Sequence, residues 1–97
     1  MLSEQQIKTI TTILNVNNKI DKVWVFGSFA RNEETANSDV DLLFTVKDGK
    51  NFGLLEMIRL IDTLEASLGK KVDFIKEGSL LPFALESANR DKIQIYG

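Results

Sequence analysis

The sequence contains no cysteine and no histidine among its 97 residues. Without cysteine the chain forms no disulfide and offers no thiolate to a metal ion. Without histidine it lacks the commonest general base and the commonest zinc ligand. Any chemistry must therefore use carboxylates, Lys and Arg side chains, hydroxyl groups and backbone amides.

Long apolar runs and an excess of positive charge are also absent. No run of about 18 apolar residues occurs, so no membrane-spanning helix is predicted. The first ten residues, MLSEQQIKTI, lack the pattern of a signal peptide. The net charge of −2 provides no overall cationic field to attract nucleic acid. We therefore expect a cytoplasmic protein that binds neither nucleic acid nor membrane.

The length of 97 residues, 43% of them hydrophobic, predicts a single domain spanning residues 1–97. A chain of this size supports one modest core and leaves little room for a separate substrate-binding domain. If the protein is an enzyme, part of its site is expected to come from a ligand or a second chain. The sequence leaves the oligomeric state open, a homo-oligomer included.

The hydrophobic pattern predicts helices and strands around one sheet. Ser3 and Gln6 have the spacing of a capping box that starts a helix, which Asn15 to Asn18 would end. Strands are predicted at 22–26, 40–46 and 71–75, with a last short strand or extended tail at 93–96. Helices are predicted at 28–31, at 52–68 before Gly69, and from Pro82 to about Asn89. This order indicates an α+β fold of the α/β-type two-layer kind, in which helices pack on the sheet.

An apolar stretch near the C-terminus, Leu80, Leu81 and Phe83, has two interpretations. Core packing is the favoured one, and an exposed interface is the alternative.

Gly27 and Ser28 follow the first predicted strand directly. A strand that ends in glycine and enters a helix at serine leaves free backbone N–H groups, which suit a phosphate. The ordinary alternative is that Gly27 ends the strand and Ser28 only caps the helix.

Asp39 and Asp41 stand at the start of the second predicted strand, and ten residues separate Asp39 from Ser28. Alternate residues of a strand share a face, so both carboxylates would point the same way, with Cα atoms roughly 6.6 Å apart. Carboxylates at that spacing can converge on one cation or on two neighbouring cations. The alternative is that Asp39 belongs to a turn and Asp41 is an exposed strand residue.

Asp73 lies in the middle of the third predicted strand, KVDFI. If this strand lies beside the second, Asp73 can face Asp39 and Asp41; otherwise it is a solvent-facing strand position. Three crowded carboxylates need neutralisation, and ligation by oxygen alone selects Mg²⁺ or Mn²⁺. Arg31, one helical turn from Ser28, could clamp phosphates or form a surface ion pair with Glu33, Glu34 or Asp39.

The spacing of these residues resembles that of the nucleotidyltransferase superfamily that includes DNA polymerase β. The form GSFAR…SDVDLL is most similar to the minimal nucleotidyltransferase family, small prokaryotic proteins of about 100 residues. The resemblance runs from about Val23 to Phe74, and the terminal IYG is also typical. One position departs from the pattern, since Asn32 stands where a glycine commonly follows the motif arginine. Asparagine tolerates left-handed backbone geometry, so the turn is expected to survive.

The resemblance implies a nucleotidyltransferase fold, a small mixed β-sheet flanked by helices. It implies that Gly27, Ser28 and Arg31 hold the phosphates of a nucleoside triphosphate, with ATP the favoured donor. It also implies catalytic Asp39, Asp41 and Asp73 as ligands of two Mg²⁺ ions. Asp73 would be the acid nearest the attacking hydroxyl, and pyrophosphate would leave.

The function implied is transfer of AMP to a hydroxyl, favoured to be a tyrosine of a small helical HEPN-type toxin for which this chain is the antitoxin. The short chain agrees with an acceptor supplied by a partner protein. One alternative is a non-catalytic antitoxin that neutralises its partner by contact. Another is transfer to a small molecule, although such relatives carry an additional domain. Nucleic-acid polymerisation fits least, given the acidic balance of the chain.

Overall fold

The computed structural model describes residues 1–97 and contains four helices and four strands. In chain order they are α1 (Glu4–Asn17), β1 (Ile20–Phe26), α2 (Gly27–Ala30), β2 (Val40–Val46), α3 (Leu54–Leu68), β3 (Val72–Lys76), α4 (Pro82–Asp91) and β4 (Ile93–Tyr96). None of these helices has the length and apolar character needed to cross a membrane.

The four strands form one mixed sheet in the order β3-β2-β1-β4. β1 pairs antiparallel with both β2 and β4. β2 pairs in parallel with β3. A parallel pair requires a long crossover connection, and α3 supplies it here. The sheet therefore agrees with the mixed sheet that the family resemblance implies.

One face of the sheet carries the hydrophobic core. Fully buried residues of α1 and α3, among them Ile10, Leu14 and Leu64, join the even-numbered positions of β2 in a single cluster of 14 buried residues. Phe44 of β2 stacks on Phe74 of β3 with ring centroids 4.2 Å apart, so the core also fixes how these two strands align.

The odd-numbered positions of β2 belong to the opposite face, because side chains alternate along a strand. Cross-strand partners share a face, and Asp41 stands opposite Phe26 of β1 on one side and Asp73 of β3 on the other. Leu43, the next residue on this face, is fully buried and stands opposite Trp24. This face is thus apolar near the sheet centre and acidic at one end.

The predicted ends of α1 and the predicted C-terminal end of α3 are confirmed, whereas α3 begins at Leu54, two residues after its predicted start. Ser3 and Gln6 form the capping box, with Ser3 Oγ accepting a hydrogen bond from Gln6 N at 3.1 Å. Asn18 ends α1 with a left-handed φ of 60°, and Gly69 ends α3 with a φ of 66°. These caps set where each helix delivers the chain to the following strand.

Small differences from the predicted bounds have local causes. β1 begins at Ile20, which is buried and pairs with Val46, but a register irregularity between Ile20 and Lys22 hides the alternation in the sequence. The helix predicted at 28–31 begins one residue earlier, at Gly27. α4 continues to Asp91.

The favoured core placement of the apolar stretch before and within α4 is wrong for two of its three residues. Leu81 is 63% exposed and Phe83 is 75% exposed, whereas Leu80 is partly buried. The only buried residue of α4 is Ala88, and α4 supplies no side chain to the main core cluster. The sequence pattern predicts the helix, but not that the apolar residues at its start are exposed.

Candidate active site

Asp41 and Asp73 lie side by side on neighbouring strands. They are direct register partners in the parallel pair of β2 and β3, where adjacent strands run about 4.8 Å apart. Asp41 is partly buried, and Asp73 is exposed. The condition on which the metal hypothesis depended, that the third predicted strand lies beside the second, is therefore met.

Gly27 brings the chain after β1 directly against the Asp41 carboxylate. Its φ is +70°, a left-handed conformation that glycine adopts readily. A Cβ at position 27 would lie 3.2 Å from Cγ of Asp41 and closer still to its Oδ2. Because the Asp41 carboxylate occupies the space that a side chain at position 27 would need, the backbone at Gly27 and the acid at Asp41 line one and the same site.

The environment of Asp41 disfavours its charged form relative to an ordinary exposed carboxyl. Partial burial, a side-chain hydrogen bond with Asp73, and the charges of Asp73 and Asp39 raise the pKa of Asp41 to about 6, while Arg31 opposes the shift. A carboxyl whose ionisation is disfavoured by neighbouring carboxylates is stabilised in its charged form by a bound cation.

Asp39 lies one residue before β2 and is partly buried. The structure does not gather three acidic side chains closely enough to form a ready-made metal cluster. It brings Asp41 and Asp73 together, and it places Asp39 near enough for its charge to disfavour the ionisation of Asp41. The donors fit a hard cation, because all three are carboxylates and no nitrogen or sulfur ligand is available.

A tight turn follows the first strand and carries the chain toward Asp39. Arg31 N donates to Gly27 O at 3.2 Å, and Glu33 N donates to Ser28 O at 2.9 Å. Asn32 adopts a left-handed φ of 58°. The expectation that asparagine maintains this turn without glycine is therefore confirmed, and Phe29, which is 2% exposed, anchors it in the core.

Arg31 forms ion pairs, as one of its two interpretations predicts. Its Nε donates to Glu33 Oε1 at 2.7 Å, and its Nη1 donates to Asp91 Oδ2 at 3.2 Å. Glu33 was among the expected partners. Asp91 was not, because it is 60 residues away and no sequence pattern links the two positions. These contacts hold Arg31 at the edge of the site, between the end of α2 and the end of α4.

A cleft that the sequence analysis did not predict opens beside Gly27. It measures about 310 Å³, and its lining includes Phe26, Gly27 and Arg31 on one side and Phe83 and Ser87 of α4 on the other. The alternation of β1 places Phe26 on the face of Asp41, but the approach of α4 to this strand is a tertiary contact that the sequence does not show.

Comparison with known proteins agrees with this geometry. Residues 8–96 match the profile of a family described as polymerase beta, nucleotidyltransferase. The protein adenylyltransferase MntA of Thermococcus cleftensis is 31% identical over 99 residues, which cover 98% of this chain and 98% of that protein. The match includes every element that carries a predicted site residue.

Two solved structures share the fold. A candidate minimal nucleotidyltransferase superimposes with a TM-score of 0.72 at 35% identity, covering 92% of this chain and 88% of its own. A complex of a tri-AMPylated HEPN toxin with an MNT antitoxin from Shewanella oneidensis gives a TM-score of 0.74 at 18% identity, covering 99% of this chain and 73% of the matched chain. With its acids on adjacent strands of a mixed sheet and its glycine turn against them, this chain belongs to the polymerase beta-type nucleotidyltransferase family.

Proposed function

We propose that this protein is a Mg²⁺-dependent adenylyltransferase that transfers AMP from ATP to a hydroxyl of a partner protein, a HEPN-type toxin. The observation that carries the proposal is the contact of the Gly27 backbone with Asp41, which itself stands in register with Asp73. Residues 1–97 act as one nucleotidyltransferase domain in this proposal, and the protein acts in the cytoplasm, where ATP is abundant.

In this proposal the backbone at Gly27 and the Ser28 hydroxyl bind phosphate oxygens of the nucleotide. Gly27 has no side chain to obstruct a phosphate. The hydroxyl of Ser28 can donate one further hydrogen bond. Arg31 adds a guanidinium at the rim, where a phosphate would compete with Glu33 and Asp91 for its donors.

The carboxylates of Asp39, Asp41 and Asp73 would hold the metal, taken here as two Mg²⁺ ions. When bound, the metal supplies positive charge that neutralises the phosphates and lowers the pKa of the acceptor hydroxyl. Asp73 is the exposed member of the pair, so it lies where an acceptor can approach from solvent and give up its proton.

The reaction is an in-line displacement. The acceptor oxygen forms a bond to the α-phosphorus while the bond from the α-phosphorus to the bridging oxygen of the β-phosphate breaks, and pyrophosphate leaves. The acceptor is assigned from the relatives: MntA is named a protein adenylyltransferase, and the solved toxin–antitoxin complex contains an AMPylated HEPN toxin. A tyrosine hydroxyl is the acceptor we propose.

Transfer of label from ATP tests this function. The protein is incubated with Mg²⁺, ATP labelled at the α-phosphate and the HEPN-type protein of the same genome, beside an Asp39→Asn/Asp41→Asn variant. Asp62→Asn is the matched control, because Asp62 is an exposed acid on α3, which packs on the opposite face of the sheet. Label on the partner with the native chain and with Asp62→Asn, but not with the double variant, supports transfer.

The same experiment separates catalysis from neutralisation by contact. If the double variant silences the partner as fully as the native chain, and no label appears with either, then the protein acts as a binding module and the proposed transfer is wrong.

A further inference from the structure

We propose that the cleft between the end of β1 and α4 binds the nucleobase of the donor nucleotide, with Phe83 as its stacking surface. The inference rests on the proposed function, since it assigns the donor's base to a position beside the same site. The volume of the cleft, about 310 Å³, lies at the lower end of the range of about 300–1,000 Å³ for small-molecule pockets.

The cleft is continuous with the phosphate-binding turn. Gly27 and Arg31 line it, and Gly27 also lies against the Asp41 carboxylate. A nucleotide whose phosphates lie against Gly27 can therefore place its nucleoside in this cleft without crossing any other surface of the protein. A cleft that shares residues with the phosphate turn is suited to the rest of the same ligand.

The lining of the cleft suits a flat aromatic base. Phe83 and Phe26 present aromatic rings, and Ala84 and Ala88 are small enough to leave the space between them open. The π-face of any base stacks on an aromatic side chain. Ser87 supplies a hydroxyl that can donate to or accept from a polar edge of the base.

The exposure of Phe83 needs an explanation that core packing does not give. Its side chain is 75% exposed, although it stands in the first turn of α4 beside the cleft. The buried Ala88 anchors α4, and Asp91 at the far end of the helix contacts Arg31 at 3.2 Å. Phe83 is therefore held at the rim of the cleft, where a base would cover its ring.

Binding of ATP and of inorganic tripolyphosphate, both with Mg²⁺, tests the inference by calorimetry. Tripolyphosphate has the phosphates without the base, so it reports on the phosphate turn alone. We expect Phe83→Ala to weaken ATP binding about tenfold through loss of stacking and to change tripolyphosphate binding less than twofold. Phe83→Tyr retains an aromatic ring and should restore ATP affinity. Leu81→Ala is the matched control, since Leu81 is 63% exposed and does not line the cleft.

Each other outcome has a defined meaning. Equal weakening of both ligands by Phe83→Ala overturns the inference, because the substitution would then act on the phosphate site or on the fold. Unchanged ATP affinity also overturns it, and slower labelling of the partner protein by the same variant would make Phe83 a partner contact. If native protein binds tripolyphosphate as tightly as ATP, the base cleft is wrong while the proposed function stands. If it binds neither, the proposed function itself fails.

Discussion

Gly27 and Asp41 constrain each other at the scale of single residues. The backbone at position 27 is left-handed, and the carboxylate of Asp41 occupies the space that a Cβ would need. The strain of a left-handed backbone can be measured separately from the steric conflict with Asp41. Other glycines of the chain are also left-handed but have open space around them. Gly69 has a similar φ of 66°, and a Cβ added there would meet no heavy atom within 4 Å, so it serves as the matched position.

We expect Gly27→Ala to lower the rate of AMP transfer at least about 100-fold, because it displaces the Asp41 carboxylate and the backbone that we propose to bind phosphate. Gly69→Ala should cost about 1 kcal/mol of unfolding free energy, the cost of left-handed alanine, and leave transfer unchanged. Label transfer and urea unfolding measure the two effects. Equal loss of transfer in both variants would mean that stability, not the site, determines the rate.

The raised pKa of Asp41 makes stability depend on pH in a defined direction. Its value of about 6 in the folded protein exceeds its ordinary value of 3.8. The protonated form therefore favours folding: this contribution is fully present below about pH 3.8 and is lost as the pH rises through 6. At neutral pH the charged Asp41 destabilises the metal-free fold.

Asp41→Asn should accordingly raise the melting temperature at about pH 7.5 in the presence of EDTA, and the gain should shrink as the pH is lowered to about 4. Thermal unfolding of native and variant chains across this range measures the difference. Asp62→Asn provides the reference for removing an exposed carboxylate from α3. A gain for Asp41→Asn that is constant with pH would show that the charge of Asp41 is not what destabilises the fold.

At the scale of elements, α3 determines which strand lies beside β2. It connects β2 to β3 in parallel and buries Leu60 and Leu64 against the sheet, so it holds Asp73 opposite Asp41. Its outer side is exposed even where it is apolar, as at Leu55, which is 60% exposed. The helix is thus a structural support for the site without supplying any residue to it.

Leu64→Ala should lower the free energy of unfolding by about 2–5 kcal/mol, because it leaves a cavity at a fully buried position. Leu55→Ala, the same substitution on the exposed side of the helix, should change it by less than about 0.5 kcal/mol. Urea denaturation measures both. Similar losses for the two variants would contradict the placement of α3 on the core.

At the scale of the whole molecule, most of the candidate site could be located from sequence because its parts lie at the ends of locally determined elements. β2 is recognisable from its apolar run, and Asp39 and Asp41 lie where that run begins. The family resemblance, and with it the mixed sheet, is confirmed. The pairing of Asp73 with Asp41 was conditional on strand order, which a pattern of single strands does not determine.

The rest depended on contacts between elements distant in sequence. The contact of Arg31 with Asp91 and the exposure of Phe83 both follow from where α4 lies, and nothing in the sequence of α4 specifies its position. β4 pairs with the free edge of β1, a choice that its four residues alone do not reveal. Local pattern thus predicts the elements, and packing decides the surroundings of the site.

The central claim is that Asp41 and Asp73 act as one catalytic unit, and a double-mutant cycle on AMP transfer tests it most directly. Initial rates of label transfer are measured for the native chain, Asp41→Asn, Asp73→Asn and the double variant. We predict that each single substitution lowers the rate at least about 100-fold and that the double variant is about as slow as the slower single one, because residues that act as a unit are not additive. A rate within about threefold of native for Asp73→Asn, or losses that multiply in the double variant, would contradict the claim.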